Sequence, residues 1–173
     1  MAQTIGIIGK PEKRAGLVRL PRKVEKSLGL KKKKRQRPLV SAKAVILFDT
    51  NVLLLKDRLG RWDLPGGKLD RGETVLTGLR REVWEETGLK VRADTLLTTH
   101  MRTRKKRRDV FITTFLCHLD KKPPKGMVRL SYEHRACLML DIRDVSDLKI
   151  ADRHLEALLS AEQLLFNKVA KAA

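Results

Sequence analysis

Residues 67–89 read GKLDRGETVLTGLRREVWEETGL, and this stretch determines what the rest of the chain is expected to build. Glu82, Glu85 and Glu86 stand at relative positions i, i+3 and i+4, so a helix puts them on one face. Like charges at that spacing destabilise an isolated helix unless a cation lies between them. Carboxylate oxygens are ligands that Mg²⁺ and Mn²⁺ prefer. The pattern therefore indicates a metal site, in preference to a solvated acidic helix face.

The glycines and the arginine around these acids resemble the Nudix box. The matched positions are Gly67, then after five residues Glu73, and after seven more Arg81-Glu82-Val83-x-Glu85-Glu86-x-Gly88-Leu89. The lead-in RWDLPG at residues 61–66 also looks like the usual approach to that box. The resemblance implies an α/β fold of the Nudix type: an α/β/α sandwich with a mixed β-sheet, in which the box forms a loop, a helix and a second loop.

The same resemblance implies a pyrophosphohydrolase that uses Mg²⁺ or Mn²⁺ to cleave a diphosphate linkage in a nucleoside diphosphate derivative or a related polyphosphate. The implied metal ligands are the box acids and a loop carbonyl: Glu73, Glu82, Glu85, Glu86 and Gly67. Glu85 and Glu86 are implied to be catalytic, together with Arg81, which orients a box glutamate. The group that deprotonates water stays open between a box glutamate and Glu133, which resembles an acidic residue that precedes a strand in many members. We interpret the neighbouring His134 as a surface or hydrogen-bonding residue.

The composition is that of one domain with some extension. The chain has 173 residues, of which 42% are hydrophobic. No apolar run approaches the roughly 18 residues that a membrane-spanning helix needs, and the N-terminus lacks the apolar region of a secretory signal. Cys117 and Cys137 are the only two cysteines, too few for a disulfide framework or a zinc cluster. We therefore expect a cytoplasmic protein with no membrane association.

Positive charge dominates the chain, whose formal net charge is +19. Residues 1–38 hold 13 lysines and arginines against two glutamates, and we expect them to form a basic arm ahead of a hydrolase domain at residues 39–173. A second basic block, RTRKKRR, occupies residues 102–108. Each block is either a solvated loop or a surface that attracts RNA, DNA or another polyanion.

The residues expected to contact the substrate flank the box or belong to the second basic block: Arg61, Trp62, Lys68, Arg104 and Arg108. The substrate stays open among nucleoside triphosphates (including oxidised ones), dinucleoside polyphosphates, diphosphoinositol polyphosphates and RNA 5′ ends. Few aromatic side chains could stack on a base, and the candidates are Trp62, Tyr132, Phe111 and Phe115. Of these, Phe111 and Phe115 fall in a predicted strand with core-like spacing. A rival interpretation is a non-catalytic Nudix-fold module that binds polyanions.

Hydrophobic periodicity predicts strands at residues 44–48, 52–55, 91–101, 110–118 and 136–141, and helices at 74–87 and 152–170. In the first helix, Leu76, Leu79 and Val83 form the predicted core-facing stripe. Trp84 points away from the acids on that helix, and it is predicted to pack rather than to stack on a base.

Overall fold

The computed structural model describes residues 37–105, 107–119 and 128–172, with side chains described as far as residue 167. The predicted basic arm lies outside these ranges except for Arg37 and Pro38, so the division of the chain at residue 38 stays a prediction. Pro123 and Pro124, whose residue type favours a loop, also lie outside the described residues.

Six strands and two α-helices make up the described part of the chain. In chain order the elements are β1 (Leu39–Phe48), β2 (Asn51–Asp57), β3 (Trp62–Asp63), α1 (Val75–Thr87), β4 (Val91–Arg102), β5 (Val110–Leu119), β6 (His134–Asp141), a 3-10 helix (Ile142–Asp147) and α2 (Asp152–Ala172). The strands are ordered β3-β2-β1-β5-β4, with β6 paired to β2. The β1–β5 pair is parallel and the other pairs are antiparallel, which confirms the predicted mixed sheet.

The alternation of side chains along β1 and β2 divides the core into two layers, one on each face of the sheet. Ile46 and Leu53 pack in the cluster that contains Leu79 and Val83 of α1. Val45, which precedes Ile46, and Leu54, which follows Leu53, pack in the cluster that contains Leu158 of α2. Burial of a side chain of this size contributes about 1.5–3 kcal/mol, so both helices are held to the sheet mainly by apolar contact. The arrangement is the predicted α/β/α sandwich.

Helix α1 begins and ends where the sequence predicts. The hydroxyl of Thr74 accepts the Thr77 N–H at 3.2 Å, and Gly88, in the left-handed region at φ 71°, closes the helix by donating to the Trp84 carbonyl at 2.8 Å. The predicted stripe is wrong at Leu76, whose side chain is 40% exposed. Val75 packs against the core in that first turn, so Leu76 is left outside.

Trp84, predicted to pack rather than to stack on a base, is 50% exposed and belongs to neither core cluster, so that preference stays a prediction. Trp84 stands five positions after the buried Leu79. At about 100° per residue, this offset turns the indole away from the sheet. Cys117, in contrast, is fully buried in β5, as its apolar surroundings predict, and burial raises the pKa of its thiol to about 12.

No helix in the described ranges combines the length and the apolar character that crossing a membrane would require.

Candidate active site

The box lines a cavity of about 780 Å³ together with residues of several other segments, which include β1, β5 and the start of α2. The predicted site residues that line it are Gly67, Lys68, Glu82, Glu85, Glu86, Arg104 and Glu133. The side chains of Lys43, Arg102 and Arg153 line it too, as does Tyr132, whose side chain is 80% exposed. Carboxylates from one helix and cations from other elements therefore share one concave surface.

Arg81 is the cation that lies between the box acids. Its Nε and Nη2 donate to the two carboxylate oxygens of Glu73 at 2.8 and 2.9 Å. Its Nη1 donates to Glu82 at 3.0 Å and to Glu85 at 3.1 Å. Hydrogen bonds from Arg81 lower the pKa of Glu73 to about 2, and the same contacts raise the pKa of Arg81. This network explains how the helix tolerates acids at adjacent turns.

Glu86 lies in a different environment from the other box acids, since only 8% of the residue is exposed. Its Oε2 accepts the Gly66 N–H at 2.6 Å, and its Oε1 lies 3.7 Å from Nε2 of His134. Burial raises the pKa of Glu86 to about 7, although Lys43 and the Gly66 N–H act in the opposite direction. At neutral pH the charge of this carboxylate is therefore not fully compensated by its neighbours. A cation bound beside it would be stabilised.

His134 also hydrogen-bonds on its other side, because its Nδ1 lies 3.2 Å from the hydroxyl oxygen of Ser131. Burial lowers the pKa of the imidazole. These contacts agree with the hydrogen-bonding interpretation of this residue, and its position beside Glu86 was not expected.

The glycine pair before α1 allows close approach of the backbone to β1 and to the acids. Gly66 has φ 116°, and a Cβ there would collide with the carbonyl oxygen of Ala42. A Cβ on Gly67 would collide with the carboxylate of Glu82. The Gly67 carbonyl accepts the Ala42 N–H at 2.9 Å and the Ser41 hydroxyl at 2.8 Å, which uses both of its lone pairs. As a metal ligand it would have to give up one of these bonds, so that predicted role stays a prediction.

Sequence reasoning missed a second ionic cluster in the cavity. Nζ of Lys43 lies 3.1 Å from Asp63 Oδ2 and donates to the Leu64 carbonyl at 2.8 Å. Oδ1 of Asp63 lies 2.9 Å from Nε2 of the buried His154. Burial works against the charge on Asp63, but Lys43 and His154 outweigh it, and the pKa of the carboxyl is lowered.

The sequence contains a signal for part of this cluster, because Lys43 interrupts an otherwise apolar strand. No comparable signal marks His154, which lies in a regular amphipathic helix. Its contact with Asp63 is short but lacks the angle of a hydrogen bond, and Nδ1 has no hydrogen-bond partner among the described residues.

Three predicted substrate contacts are not brought to the cavity. Arg61 is paired with Asp57 at 2.6 Å, and Trp62 lies beneath the ammonium of Lys56, 5.0 Å from the ring centroid. The guanidinium of Arg108 donates to a backbone carbonyl, that of Arg37, at 2.7 and 2.9 Å. Of the second basic block, Arg102 and Arg104 are the described members that line the cavity.

The donor set fits a divalent cation. Glu82, Glu85 and Glu86 supply oxygen ligands along one wall, and the buried Glu86 favours a positive neighbour. Within the described ranges, however, no three acidic, histidine or cysteine side chains already stand close enough to hold an ion. Arg81 hydrogen-bonds to one oxygen of Glu82 and one of Glu85, so the side chains would have to move closer to Glu86, but not lose Arg81, to share an ion with it.

A mixed sheet between helices, with a carboxylate-lined cavity beside a glycine loop, is the arrangement that the Nudix resemblance implies. The NUDIX domain family matches residues 38–160, and the chain belongs to this family. It is accordingly a hydrolase that acts on acid anhydrides in phosphorus-containing compounds.

The chain is similar in sequence to known proteins and in fold to solved structures. A MutT-like protein of Streptomyces ambofaciens is 37% identical over 124 residues, which cover 70% of this chain and 75% of that protein. The human (Homo sapiens) 8-oxo-dGDP phosphatase NUDT18 is 34% identical over 95 residues, covering 52% of this chain but 27% of that protein. The solved structure of a MutT NUDIX hydrolase from Burkholderia pseudomallei matches with a TM-score of 0.59 and 26% identity, covering 70% of this chain and 97% of that one.

Proposed function

We propose that the protein is a pyrophosphohydrolase that depends on Mg²⁺ or Mn²⁺ and cleaves the diphosphate linkage of a nucleoside di- or triphosphate. The observation that carries the proposal is the make-up of the cavity, in which the box glutamates face the same space as a set of cations. The cations are Lys43, Lys68, Arg102, Arg104 and Arg153. A chain of phosphates is bound by such cations, and its cleavage requires stabilisation of the charge on the leaving oxygen.

The roles that we propose for the residues are supported by their places in the cavity. Glu82, Glu85 and Glu86 would hold the ion, which when bound neutralises phosphate charge and lowers the pKa of a water molecule. The basic side chains orient the phosphates relative to that wall. Glu133 lies in the same cavity and, with the box glutamates, is a candidate for the group that takes the proton from water.

A nucleoside is favoured as the other half of the substrate by the relatives and by Tyr132. The described activity of NUDT18 is on 8-oxo-dGDP, a nucleoside diphosphate. Tyr132 presents an exposed ring at the cavity, and the Arg58 guanidinium lies 5.7 Å from its centroid, so a base could stack on the ring. Ordinary and oxidised guanine nucleotides are therefore the first substrates to test, with dinucleoside polyphosphates, diphosphoinositol polyphosphates and 5′-triphosphorylated RNA as alternatives.

The test is hydrolysis of that panel by the purified full chain in Mg²⁺ and in Mn²⁺, with release of phosphate or pyrophosphate as the readout. Glu85→Gln and Glu86→Gln are expected to lower kcat by about 100-fold or more, because each removes a charge that the transition state needs. Glu162→Gln, on α2 and outside the cavity, is the matched control. Absence of turnover with both ions, or full turnover in both glutamine variants, would contradict the proposal.

A further inference from the structure

The outer side of α1 carries an exposed tryptophan among basic residues. A groove of about 770 Å³ is lined by Arg80 and Trp84 of the helix and by Lys90 and Arg92 after it. The Lys90 ammonium lies over the Trp84 ring, 5.5 Å from its centroid. With Arg129, which lies against Gly88 at the end of the helix, these residues are called the α1 strip.

The core does not account for the α1 strip. Trp84 belongs to neither of the apolar clusters that hold the helices to the sheet, and half of its surface faces solvent. Arg80, Lys90, Arg92 and Arg129 are also exposed. Large exposed aromatics surrounded by exposed cations are typical of a binding surface.

The α1 strip is continuous with the catalytic cavity. A second depression of about 300 Å³ is lined by Trp84, Arg129, Glu85 and Ser131. Glu85 and Ser131 line the catalytic cavity as well. A chain that leaves the cavity past Glu85 therefore meets the Trp84 ring and then the arginines and lysine of the groove.

We propose that the α1 strip binds single-stranded nucleic acid, with a base stacked on Trp84 and phosphates contacting Arg80, Lys90, Arg92 and Arg129. A positively charged groove with an aromatic platform is how proteins bind single strands without reading their sequence, because every base has a face that can stack. The proposal concerns binding and needs neither a metal ion nor turnover. Its outcome is therefore independent of the outcome for the proposed hydrolase.

The first experiment measures binding of a labelled oligouridylate and a labelled oligothymidylate, each of about 12 nucleotides, to the full chain in EDTA by fluorescence anisotropy. Trp84→Leu is expected to weaken binding of both by about 5- to 100-fold, the range for loss of one stacked base. Heparin, which has charge but no bases, is expected to bind Trp84→Leu and the parent equally. Trp84 and Trp62 are the two tryptophans of the chain, so quenching of intrinsic fluorescence by oligouridylate is expected in the parent and not in Trp84→Leu.

The second experiment separates the α1 strip from the general positive charge of the chain. Arg80→Gln/Arg92→Gln is compared with Arg135→Gln/Lys149→Gln, a pair of exposed cations outside the strip with the same loss of charge. The strip pair is expected to flatten the dependence of log affinity on log salt by about 1.4, two phosphate contacts at roughly 0.7 each, and the control pair to leave it unchanged.

Three results would overturn the proposal. The first is unchanged oligonucleotide affinity in Trp84→Leu. The second is an equal loss of affinity in the two charge pairs, which would assign the binding to net charge alone. The third is a polyglutamate peptide that competes for the strip as well as the oligonucleotides do, which would identify an acidic protein as the occupant.

Discussion

Replacement of Glu86 by glutamine is expected to stabilise the metal-free protein at pH 8 while removing a carboxylate that we propose takes part in catalysis. Burial raises the pKa of this carboxyl from 4.5 to about 7. Because the pKa is higher in the folded chain than in the unfolded chain, the stability that this group contributes is complete below pH 4.5 and is lost as the pH rises through 7. Above that range the parent must ionise a buried group, and the glutamine variant has nothing to ionise.

The size of the effect follows from the same two values. The interval from 4.5 to about 7 corresponds to a free energy of about 3 kcal/mol, which is the most that the substitution can recover. The hydrogen bond from the Gly66 N–H to Glu86 is weaker when the acceptor is a neutral amide, so we expect about 1–2 kcal/mol at pH 8. At pH 4 both proteins carry a neutral group at this position, and the difference is expected to vanish.

Urea unfolding in EDTA at pH 4 and pH 8 measures the difference, and Glu85→Gln is the matched control. The side chain of Glu85 is 55% exposed, so its substitution is expected to change the free energy of unfolding by about 0.5 kcal/mol or less at either pH. A Glu86→Gln protein that is no more stable than the parent at pH 8, or whose gain is the same at both pH values, would refute the reasoning from burial.

Two further substitutions test the fold around the site. Gly66→Ala is expected to lower the free energy of unfolding by about 3 kcal/mol or more, because φ is 116° and the new Cβ meets the Ala42 carbonyl. Gly72→Ala, at φ 90° with open space around it, is expected to lower it by about 1 kcal/mol. Equal midpoints of the two variants in urea unfolding would contradict this. Leu79→Ala is expected to lower the free energy of unfolding by about 2–5 kcal/mol and Leu76→Ala by less than about 1 kcal/mol, since Leu79 is fully buried and Leu76 is 40% exposed. Thermal unfolding monitored by circular dichroism measures both, and a larger loss in Leu76→Ala than in Leu79→Ala would contradict the assignment.

The elements and the box were predictable from the sequence because their determinants are local. Thr74 and Gly88 cap α1 through contacts within one turn, and those contacts are readable from residue type and spacing. The side of α1 that faces the sheet was predicted from Leu79 and Val83, but the exposure of Leu76 depends on which residue of the first turn reaches the core. That choice is made by tertiary packing, which periodicity alone does not contain.

The parts of the site that sequence reasoning missed depend on contacts between distant segments. Lys43, Asp63 and His154 come from β1, β3 and α2, and their meeting requires the sheet order that places these elements together. Arg61, Trp62 and Arg108 were predicted to contact the substrate, but they do not line the cavity. Their types suit a phosphate or a base, but each is held by a partner outside the cavity, which for Arg108 is the distant backbone of Arg37. Residue type near a motif is therefore a weaker guide to a substrate contact than membership of the motif.

Arg81 explains how α1 can carry the acids of the proposed divalent-cation site and still fold without an ion. It gives two nitrogens to Glu73 and shares a third between Glu82 and Glu85. The bidentate contact with Glu73 is the stronger of the two arrangements, because parallel charge-assisted hydrogen bonds fix the guanidinium in its plane. Glu82 and Glu85 can therefore turn toward the cavity while Glu73 keeps Arg81 in place. In the proposed hydrolase the arginine would thus hold these acids together in the absence of the ion and would remain beside them as a positive neighbour when the ion is bound.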